Sequence, residues 1–344
     1  MKRRAVQAVL YPFLTIKQLT GFWVTYAHIF KLINMGSLCW YIYKVTLKMS
    51  KDIKKRELLK IGLCITFNPI FTHIFKVYDI NKDFKKFAEI GYRGIEISIR
   101  DTADINWDNF NAVLQKNFIE LVTIATGLVR KIDNISLMDQ KKEDRNSAVL
   151  RLNKMIEKIS EYDSSERNIL IGYVKGELSV NKTENKKRLG LLNKSLDEIL
   201  ELAEKKKVRI LIEVINHKET NFINDIASGV EFISGFNSDY LKLLIDTYHM
   251  NIDEKDCYQA VKEAGACIGN VHISDDGRKF PGHGNMDFKP ILKALNEIGY
   301  SGYLTIESNE VSGVSSANEN TEESYKPLIS GYNYIRELIQ NMNK

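Results

Sequence analysis

The feature that most constrains the fold is a regular alternation of short apolar runs with longer amphipathic, charged segments from about residue 58 onward. The apolar runs are dense in Ile, Val and Leu without strict polar alternation, which is typical of strands that helices cover. Eight runs are predicted to be strands: 60–66, 94–98, 121–126, 169–173, 209–214, 241–246, 268–274 and 302–307. Because a helical segment follows each run, parallel pairing through right-handed crossovers is expected.

The segments between the runs carry helix signals. Residues 81–92 and 289–300 each end in Gly-Tyr, and the glycine indicates a helix C-terminus. Residues 185–207 place one apolar face on a predicted helix, formed by Leu191, Leu192, Ser195, Leu196, Ile199, Leu200 and Ala203. No GxGxxG or P-loop motif follows a predicted strand, which argues against a doubly wound nucleotide-binding sheet. The sequence therefore predicts the α/β class and a closed, parallel eight-stranded (β/α)₈ TIM barrel.

The charge of the chain is unevenly distributed. The formal net charge is +5, but residues 1–48 contain seven Lys and Arg residues and no acid. Subtracting those seven from 49 basic residues leaves 42 against 44 acidic residues, a net of −2. The body of the protein thus lacks the basic field that nucleic-acid binding requires, and no nucleic-acid partner is expected.

Residues 1–58 are predicted to be a hydrophobic, basic extension, and residues 59–344 the catalytic barrel. Lys17, Lys31 and Lys44 interrupt the apolar text of the extension, whereas a membrane span needs roughly 20 continuous apolar residues. Three interpretations stay open: translation that really starts at Met49, a weak interfacial membrane anchor, or an accessory helix packed on the barrel. Recovery of native peptides from upstream of Met49 would eliminate the first.

The four cysteines, Cys39, Cys64, Cys257 and Cys267, show no CxxC spacing and are too sparse for a disulfide framework. A reducing, cytoplasmic location is therefore expected.

Polar residues that can bind a metal stand at four successive predicted strand ends. They are Glu213, Asp246, His272 and Glu307, and each interrupts or ends an apolar run. The C-terminal ends of barrel strands meet at one mouth, so these side chains are predicted to share an ion. Three carboxylates and one imidazole favour Mn²⁺, with Mg²⁺ and Co²⁺ as alternatives, over a structural Zn²⁺.

Four segments carry a family resemblance: "LIEVINHKETNFIND", "LLIDTYHMNIDE", "VHISDDGRKFPGHGNMDF" and "GYSGYLTIES". They resemble the xylose isomerase-like TIM barrels, and within them the sugar epimerases of the D-tagatose and D-psicose 3-epimerase type. The strong matches cover about 209–310, and the separations between the four strand-end residues are also similar to the family's. The resemblance implies a metal-dependent sugar or sugar-phosphate isomerase or epimerase that often forms dimers or tetramers.

The resemblance also assigns roles to individual residues. Glu213, Asp246, His272 and Glu307 correspond to the family's metal ligands, and Glu213 and Glu307 also to its acid–base pair. The family's substrate-binding residues correspond to His249 in "DTYHM", Arg278 in "HISDDGR" and Glu219 in "NHKET". His217 departs from the pattern, because an arginine often stands there.

Metal ligands and paired glutamates together would overcome the low acidity of a sugar C–H bond. A C–H beside a carbonyl is too weak an acid for an unaided glutamate, and chelation to a dication stabilises the enediolate by several kcal/mol. One glutamate then removes the proton, and a second on the opposite face returns one with inversion. The leading hypothesis is epimerisation of a ketose or ketose phosphate at C3 through a metal-bound cis-enediolate.

Other functions stay open. An aldose–ketose isomerase or a keto-inositol dehydratase would use the same scaffold. An endonuclease IV-like DNA repair enzyme would need further histidines at the ends of the second and third strands, which read "GIEISIRD" and "VTIATGLV". A non-catalytic binding barrel would be expected to have lost at least one of the glutamates.

Overall fold

A computed structural model describes residues 59–68, 74–310 and 319–342. Its described strands are β1 (Lys60–Thr66), β2 (Phe75–Lys76), β3 (Gly94–Ser98), β4 (Glu120–Ala125), β5 (Asn168–Ile171), β6 (Arg209–Glu213), β7 (Leu241–Asp246), β8 (Ile268–Ile273) and β9 (Tyr303–Ile306). All pairings between these strands are parallel, and β1 pairs with both β3 and β9, which closes an eight-stranded barrel. The predicted (β/α)₈ TIM barrel is confirmed.

Helices follow the barrel strands along the described chain. They are α1 (Ile80–Ile90), α2 (Trp107–Asn117), α3 (Gly127–Asp133), α4 (Lys142–Ser160), α5 (Lys182–Lys206), α6 (Ile226–Ser234), α7 (Thr247–Asp253), α8 (Cys257–Ala264), α9 (Lys289–Glu297) and α10 (Glu322–Met342). None of the helices in this part of the chain is long and apolar enough to cross a membrane.

Local chemistry sets the ends of helix α1. The Asp79 side chain accepts hydrogen bonds from the backbone N–H groups of Asn81 and Lys82 at 2.9 and 3.1 Å. These bonds satisfy donors that have no partner within the helix. At the other end Gly91 has a φ of +124°, and its N–H donates to the Phe87 carbonyl. The predicted C-terminal glycine therefore ends the helix by adopting a conformation that side chains disfavour.

The predicted apolar face of residues 185–207 packs against the barrel. Leu192, Leu196 and Ile199 of α5 are fully buried, and Leu200 and Ala203 are also in the core. Leu191 is only half-buried, at the edge of the face.

The barrel interior is filled in layers, because alternate residues of each strand point inward. Near the N-terminal end the Tyr303 ring occupies the space that a side chain at Gly94 would need. Above it, Thr123 Oγ1 accepts hydrogen bonds from the amides of Asn168 and Asn270 at 3.3 and 3.4 Å. The next layer is an apolar cluster of Ala125, Leu170, Leu211 and Leu244. On strands β6 and β7 this cluster lies one inward-facing position below Glu213 and Asp246.

The predicted strands match the observed ones within one residue at each end, with one informative exception. The predicted strand 169–173 ends at Ile171, and Tyr173–Lys175 forms a 3₁₀ turn instead. The buried Lys175 ammonium holds this turn by donating to the carbonyls of Gly172 and Glu213, each at 3.2 Å. Strand β2, which pairs with β1, was not predicted. The predicted extension, residues 1–58, and the alternative start at Met49 lie outside the described residues.

Candidate functional site

The four strand-end residues meet at the C-terminal mouth of the barrel. Glu213 and Asp246 are the last residues of β6 and β7, His272 lies within β8, and Glu307 directly follows β9. One side-chain ligand atom from each lies within 4.8 Å of all the others. Asp246 and His272 are fully buried, Glu213 is buried, and the Glu307 side chain is 14% exposed. The structure thus brings together the four residues predicted as metal ligands.

The donor chemistry of this group fits a divalent cation. With Glu213, Asp246 and Glu307 ionised, the group carries three negative charges, and the Arg278 guanidinium beside it supplies one positive charge. Acids gathered this closely in a buried mouth are costly without further positive charge nearby. Carboxylate oxygens with one imidazole nitrogen suit Mn²⁺ or Mg²⁺. Glu213, Asp246, His272 and Glu307 are therefore the residues that would hold such an ion.

Arg278 bridges the acidic groups. Its Nη2 lies 3.0 Å from Glu307 Oε2 and 3.3 Å from Asp246 Oδ2. Its backbone has a φ of +59°, uncommon for a residue with a side chain. The Ser308 hydroxyl and the Asn309 N–H both donate to its carbonyl, at 2.9 and 3.0 Å. The chain after β9 therefore fixes the place where this guanidinium enters the site.

The charges of the site shift the ionisation of its members. Burial opposes ionisation of Glu307, but the Arg278 charge and then His272 outweigh it, so the pKa of Glu307 lies well below its usual range. Burial likewise disfavours a charged His249, yet Asp246 and Glu213 raise the pKa of this imidazole. At neutral pH Glu307 is therefore ionised, as a metal ligand must be.

His249 and Glu219 belong to one hydrogen-bonded wall. The Asn216 amide nitrogen lies 2.6 Å from His249 Nδ1 and 3.1 Å from Glu219 Oε1. His249 Nε2 faces the acids, 3.6 Å from Glu213 Oε1 and 3.7 Å from Asp246 Oδ2. The Tyr173 hydroxyl donates to the other Glu219 oxygen. Burial opposes the Glu219 charge, but this hydrogen bond and Arg278 lower the pKa of Glu219.

A cavity of about 420 Å³ opens above these residues. Glu213, Glu219, Arg278 and Glu307 line it, and its apolar wall includes Leu170 and Tyr248. The Tyr248 ring stacks under the guanidinium, 5.1 Å from Arg278 Cζ. The volume suits a small organic ligand, and the lining combines an apolar wall with convergent charged groups, as small-molecule sites do.

The wall beside Glu213 leaves no spare room. A Cβ at Gly172 would lie 2.4 Å from Glu213 Oε2, so only glycine leaves the carboxylate where it is. Three residues farther on, burial lowers the pKa of Lys175 to about 8, although the Glu213 charge opposes this shift. The turn after β5 thus contacts Glu213 twice: Gly172 leaves room for its carboxylate, and the Lys175 ammonium donates to its backbone carbonyl.

The predicted substrate contacts His249, Arg278 and Glu219 also lie at this mouth, the last two directly on the cavity. His217, the residue that departs from the family pattern, points away: it is 60% exposed and pairs with Asp253. Four further residues of the site were not predicted from the sequence: Asn216, Tyr173, Tyr248 and Lys175. Asn216 and Tyr248 stand within three residues of predicted ligands, which was the available signal.

Comparison with known proteins places this architecture in a family. Residues 84–330 match the xylose isomerase-like TIM barrel family. L-ribulose 3-epimerase of Mesorhizobium japonicum is 40% identical over 114 residues, which are 33% of this chain and 38% of that protein. D-psicose 3-epimerase of Ruminiclostridium cellulolyticum is 35% identical over 113 residues, 33% of this chain and 39% of that protein. The sequence match thus spans less than half the length of these relatives.

Solved structures share the fold over a longer span. D-psicose 3-epimerase from Clostridium cellulolyticum H10, solved with D-tagatose, has a TM-score of 0.66 at 20% identity, covering 82% of this chain and 99% of that one. An AP endonuclease of family 2 from Brucella melitensis has a TM-score of 0.60 at 15% identity, covering 73% and 93%. The architecture is therefore shared by proteins of different activities. From the match over residues 84–330 and the closed barrel, we conclude that the chain belongs to the xylose isomerase-like TIM barrel family.

Proposed function

We propose that this protein is an enzyme that epimerises a ketose or ketose phosphate at C3. The reaction would use one divalent metal ion, with Mn²⁺ preferred over Mg²⁺ and Co²⁺. The observation that carries the proposal is the buried cluster of Glu213, Asp246, His272 and Glu307 at the mouth of the barrel, with ligand atoms within 4.8 Å of one another. The names of the relatives support it, since L-ribulose, D-psicose and other ketose 3-epimerases match this chain.

Glu213 and Glu307 are the proposed proton carriers. They follow strands β6 and β9, with β7 and β8 between them, so they approach the cavity from different sides. One carboxylate removes the C3 proton from one face, and the protonated form of the other returns a proton to the opposite face. Which glutamate acts first depends on the configuration of the substrate, and the reverse reaction exchanges their roles.

Arg278, His249 and Glu219 are proposed to orient the substrate. Arg278 and His249 present N–H donors toward the acidic cluster, where the ketose carbonyl and its neighbouring oxygens would lie. Glu219, held by Asn216 and Tyr173, offers an acceptor for a sugar hydroxyl. A bound dication would supply Lewis-acid polarisation of the carbonyl, worth several kcal/mol of barrier.

The barrel fold alone does not distinguish a sugar-converting enzyme from a DNA repair enzyme. The residues at the strand ends must therefore make this distinction. In the described chain β3 ends at Ser98, and β4 ends at Ala125 with Thr126 next. These positions lack the histidines that a multi-zinc endonuclease site would require. The charge of the chain beyond residue 48 also argues against a DNA-binding surface.

The test is to incubate the Mn²⁺-loaded protein with free and phosphorylated ketoses in D₂O and to follow the products by NMR. Deuterium at C3 with inverted configuration is the expected result. Label at C1 or C2 with formation of an aldose would replace this proposal with an aldose–ketose isomerase. In a parallel incubation with a keto-inositol, loss of water without ketose turnover in the first incubation would identify a dehydratase.

Location and assembly are further parts of the proposal. Cys64, Cys257 and Cys267 are free thiols, which supports a reducing cytoplasm. A homodimer or homotetramer is proposed from the family resemblance, and light scattering of the purified protein will measure its mass. The boundary between an extension of residues 1–58 and the catalytic barrel is likewise proposed from the sequence.

A further inference from the structure

Both ring nitrogens of His272 face a carboxylate. Nδ1 lies 3.2 Å from Glu307 Oε2, on the side of the proposed metal ligands. Nε2 lies 3.0 Å from Glu96 Oε2, on the inner side of the barrel. A neutral imidazole has one proton and one lone pair, so the partner of one nitrogen decides what the other can bind.

Glu96 is a buried carboxylate whose partners in the described residues carry no permanent positive charge. It lies on β3, is 2% exposed, and its oxygens contact the Cys64 thiol and the His272 imidazole, with no lysine or arginine against it in the described residues. The Cys64 Sγ lies 3.4 Å from Glu96 Oε1, so the thiol can donate to one oxygen while His272 Nε2–H donates to the other. A buried carboxylate is retained where donors satisfy it, and here the stronger donor is the imidazole.

We infer that Glu96, supported by Cys64, is a positioning residue that keeps the proton of His272 on Nε2 and thereby leaves the Nδ1 lone pair free to bind the dication. An ionised carboxylate can only accept a hydrogen bond, so Nε2 must be the donor. Carboxylates that accept from the far nitrogen of a metal-binding histidine fix its tautomer and increase its basicity. This inference depends on the metal site of the proposed function but not on the sugar reaction.

One competing arrangement uses the same atoms. Ligand atoms of Cys64, Glu96 and His272 also lie within 4.8 Å of one another, so they could hold a second ion. His272 would then have to lose the proton from both nitrogens, and Cys64 would have to lose its thiol proton. The observed contacts satisfy all three groups without those losses, which favours the positioning role.

Three variants and a matched control test the inference through metal affinity, measured by calorimetric titration of the metal-free protein with Mn²⁺. Glu96→Leu removes the acceptor and should weaken binding about 100-fold, the upper end of what such outer partners contribute. Glu96→Gln keeps the shape and an acceptor oxygen but removes the charge, so it should weaken binding about 10-fold. Cys64→Ala should have an effect smaller than either. The control is Glu166→Gln, because Glu166 pairs with Arg209 at the opposite end of the barrel, at 3.1 Å, and its variant should bind like the wild type.

Two spectroscopic measurements separate positioning from packing and from metal ligation. Long-range ¹H–¹⁵N spectra of the Zn²⁺-loaded wild type should show the His272 proton on Nε2, with the metal on Nδ1. Co²⁺-loaded wild type should show one bound ion and no thiolate-to-cobalt charge-transfer band.

Wild-type affinity in folded Glu96→Leu and Glu96→Gln, or a proton on Nδ1, would overturn the inference. A second bound ion with a charge-transfer band that Cys64→Ser abolishes would replace it with a second metal site. A wild-type protein that binds no metal would remove the inference together with the metal site. Metal binding with the predicted variant series but without ketose turnover would leave the inference standing and refute only the proposed reaction.

Discussion

Gly172 provides a perturbation whose effect can be worked out from the structure. The Cβ of an alanine at this position would lie 2.4 Å from Glu213 Oε2, whereas ordinary van der Waals contact begins at about 3.4 Å. The other atoms near that Cβ, Glu213 Cδ at 3.6 Å and Ile215 Cδ1 at 3.8 Å, are already at ordinary contact distance. The methyl group therefore conflicts with one carboxylate oxygen, which must move by about 1 Å.

A movement of that size matters for a metal ligand but little for the fold. Metal–ligand distances tolerate only about 0.2 Å, so Glu213 in Gly172→Ala could not keep its place in a four-ligand site. We expect Mn²⁺ affinity to fall about 10- to 100-fold, equivalent to about 1.4 to 2.8 kcal/mol of binding free energy. Turnover should fall about 100-fold at saturating metal, because the same oxygen is a proposed proton carrier. The free energy of unfolding should change little, since the end of a side chain can rotate away.

Calorimetric titration with Mn²⁺ measures the metal affinity, and urea unfolding of the metal-free protein measures the free energy of unfolding separately. Gly190→Ala is the control, because nothing lies within 4 Å of its added Cβ in helix α5. That variant should keep wild-type metal affinity and gain about 0.5 to 1 kcal/mol of stability from the higher helix propensity of alanine. Wild-type Mn²⁺ affinity in Gly172→Ala would refute the placement of Glu213 in the metal site.

Three further predictions address catalysis, acid sensitivity and the core. Glu213→Gln and Glu307→Gln should each abolish turnover and deuterium incorporation at C3, and wild-type turnover in either variant would contradict the two-base scheme. The hydrogen bond from Arg100, followed by the Arg151 charge, lowers the pKa of Asp133, so this carboxylate stabilises the fold above the pKa of an unfolded aspartate and the stabilisation is lost as the pH falls. Asp133→Asn should therefore lose about 1 kcal/mol at neutral pH and show a smaller stability loss between pH 7 and about pH 3, measured by urea unfolding. Leu196→Ala, at a fully buried position of α5, should cost about 2 to 5 kcal/mol of unfolding free energy, and a cost below 1 kcal/mol would place that helix face outside the core.

The barrel could be predicted from the sequence because its strands and helices have different periodicities. Strands buried on both faces appear as continuous Ile, Val and Leu runs, and the bounds of β1, β3 and β7 agree with prediction to the residue. The strand that was predicted too long, β5, ends where Lys175 folds its ammonium back onto two carbonyls. Such a contact depends on residues that are distant along the chain, and local pattern cannot reveal it.

The strand-end acids were predictable for a related reason. A charged residue that ends an apolar run must lie at the end of the barrel, so Glu213, Asp246 and Glu307 could be placed without coordinates. Glu96 sits inside such a run in "GIEIS", where nothing in the local pattern indicates its partner. Its contact with His272 crosses the barrel between strands that are 176 residues apart in the chain. Partnerships of that kind require three-dimensional information.

The central claim is that one dication binds between two opposed glutamates at the mouth of this barrel. An anomalous-scattering map at the manganese edge, from crystals of the Mn²⁺-loaded protein, tests it directly. The account predicts one strong peak, with atoms of Glu213, Asp246, His272 and Glu307 about 2.0 to 2.3 Å from it. A map with no peak among these four residues, or with the ion bound elsewhere, would contradict it.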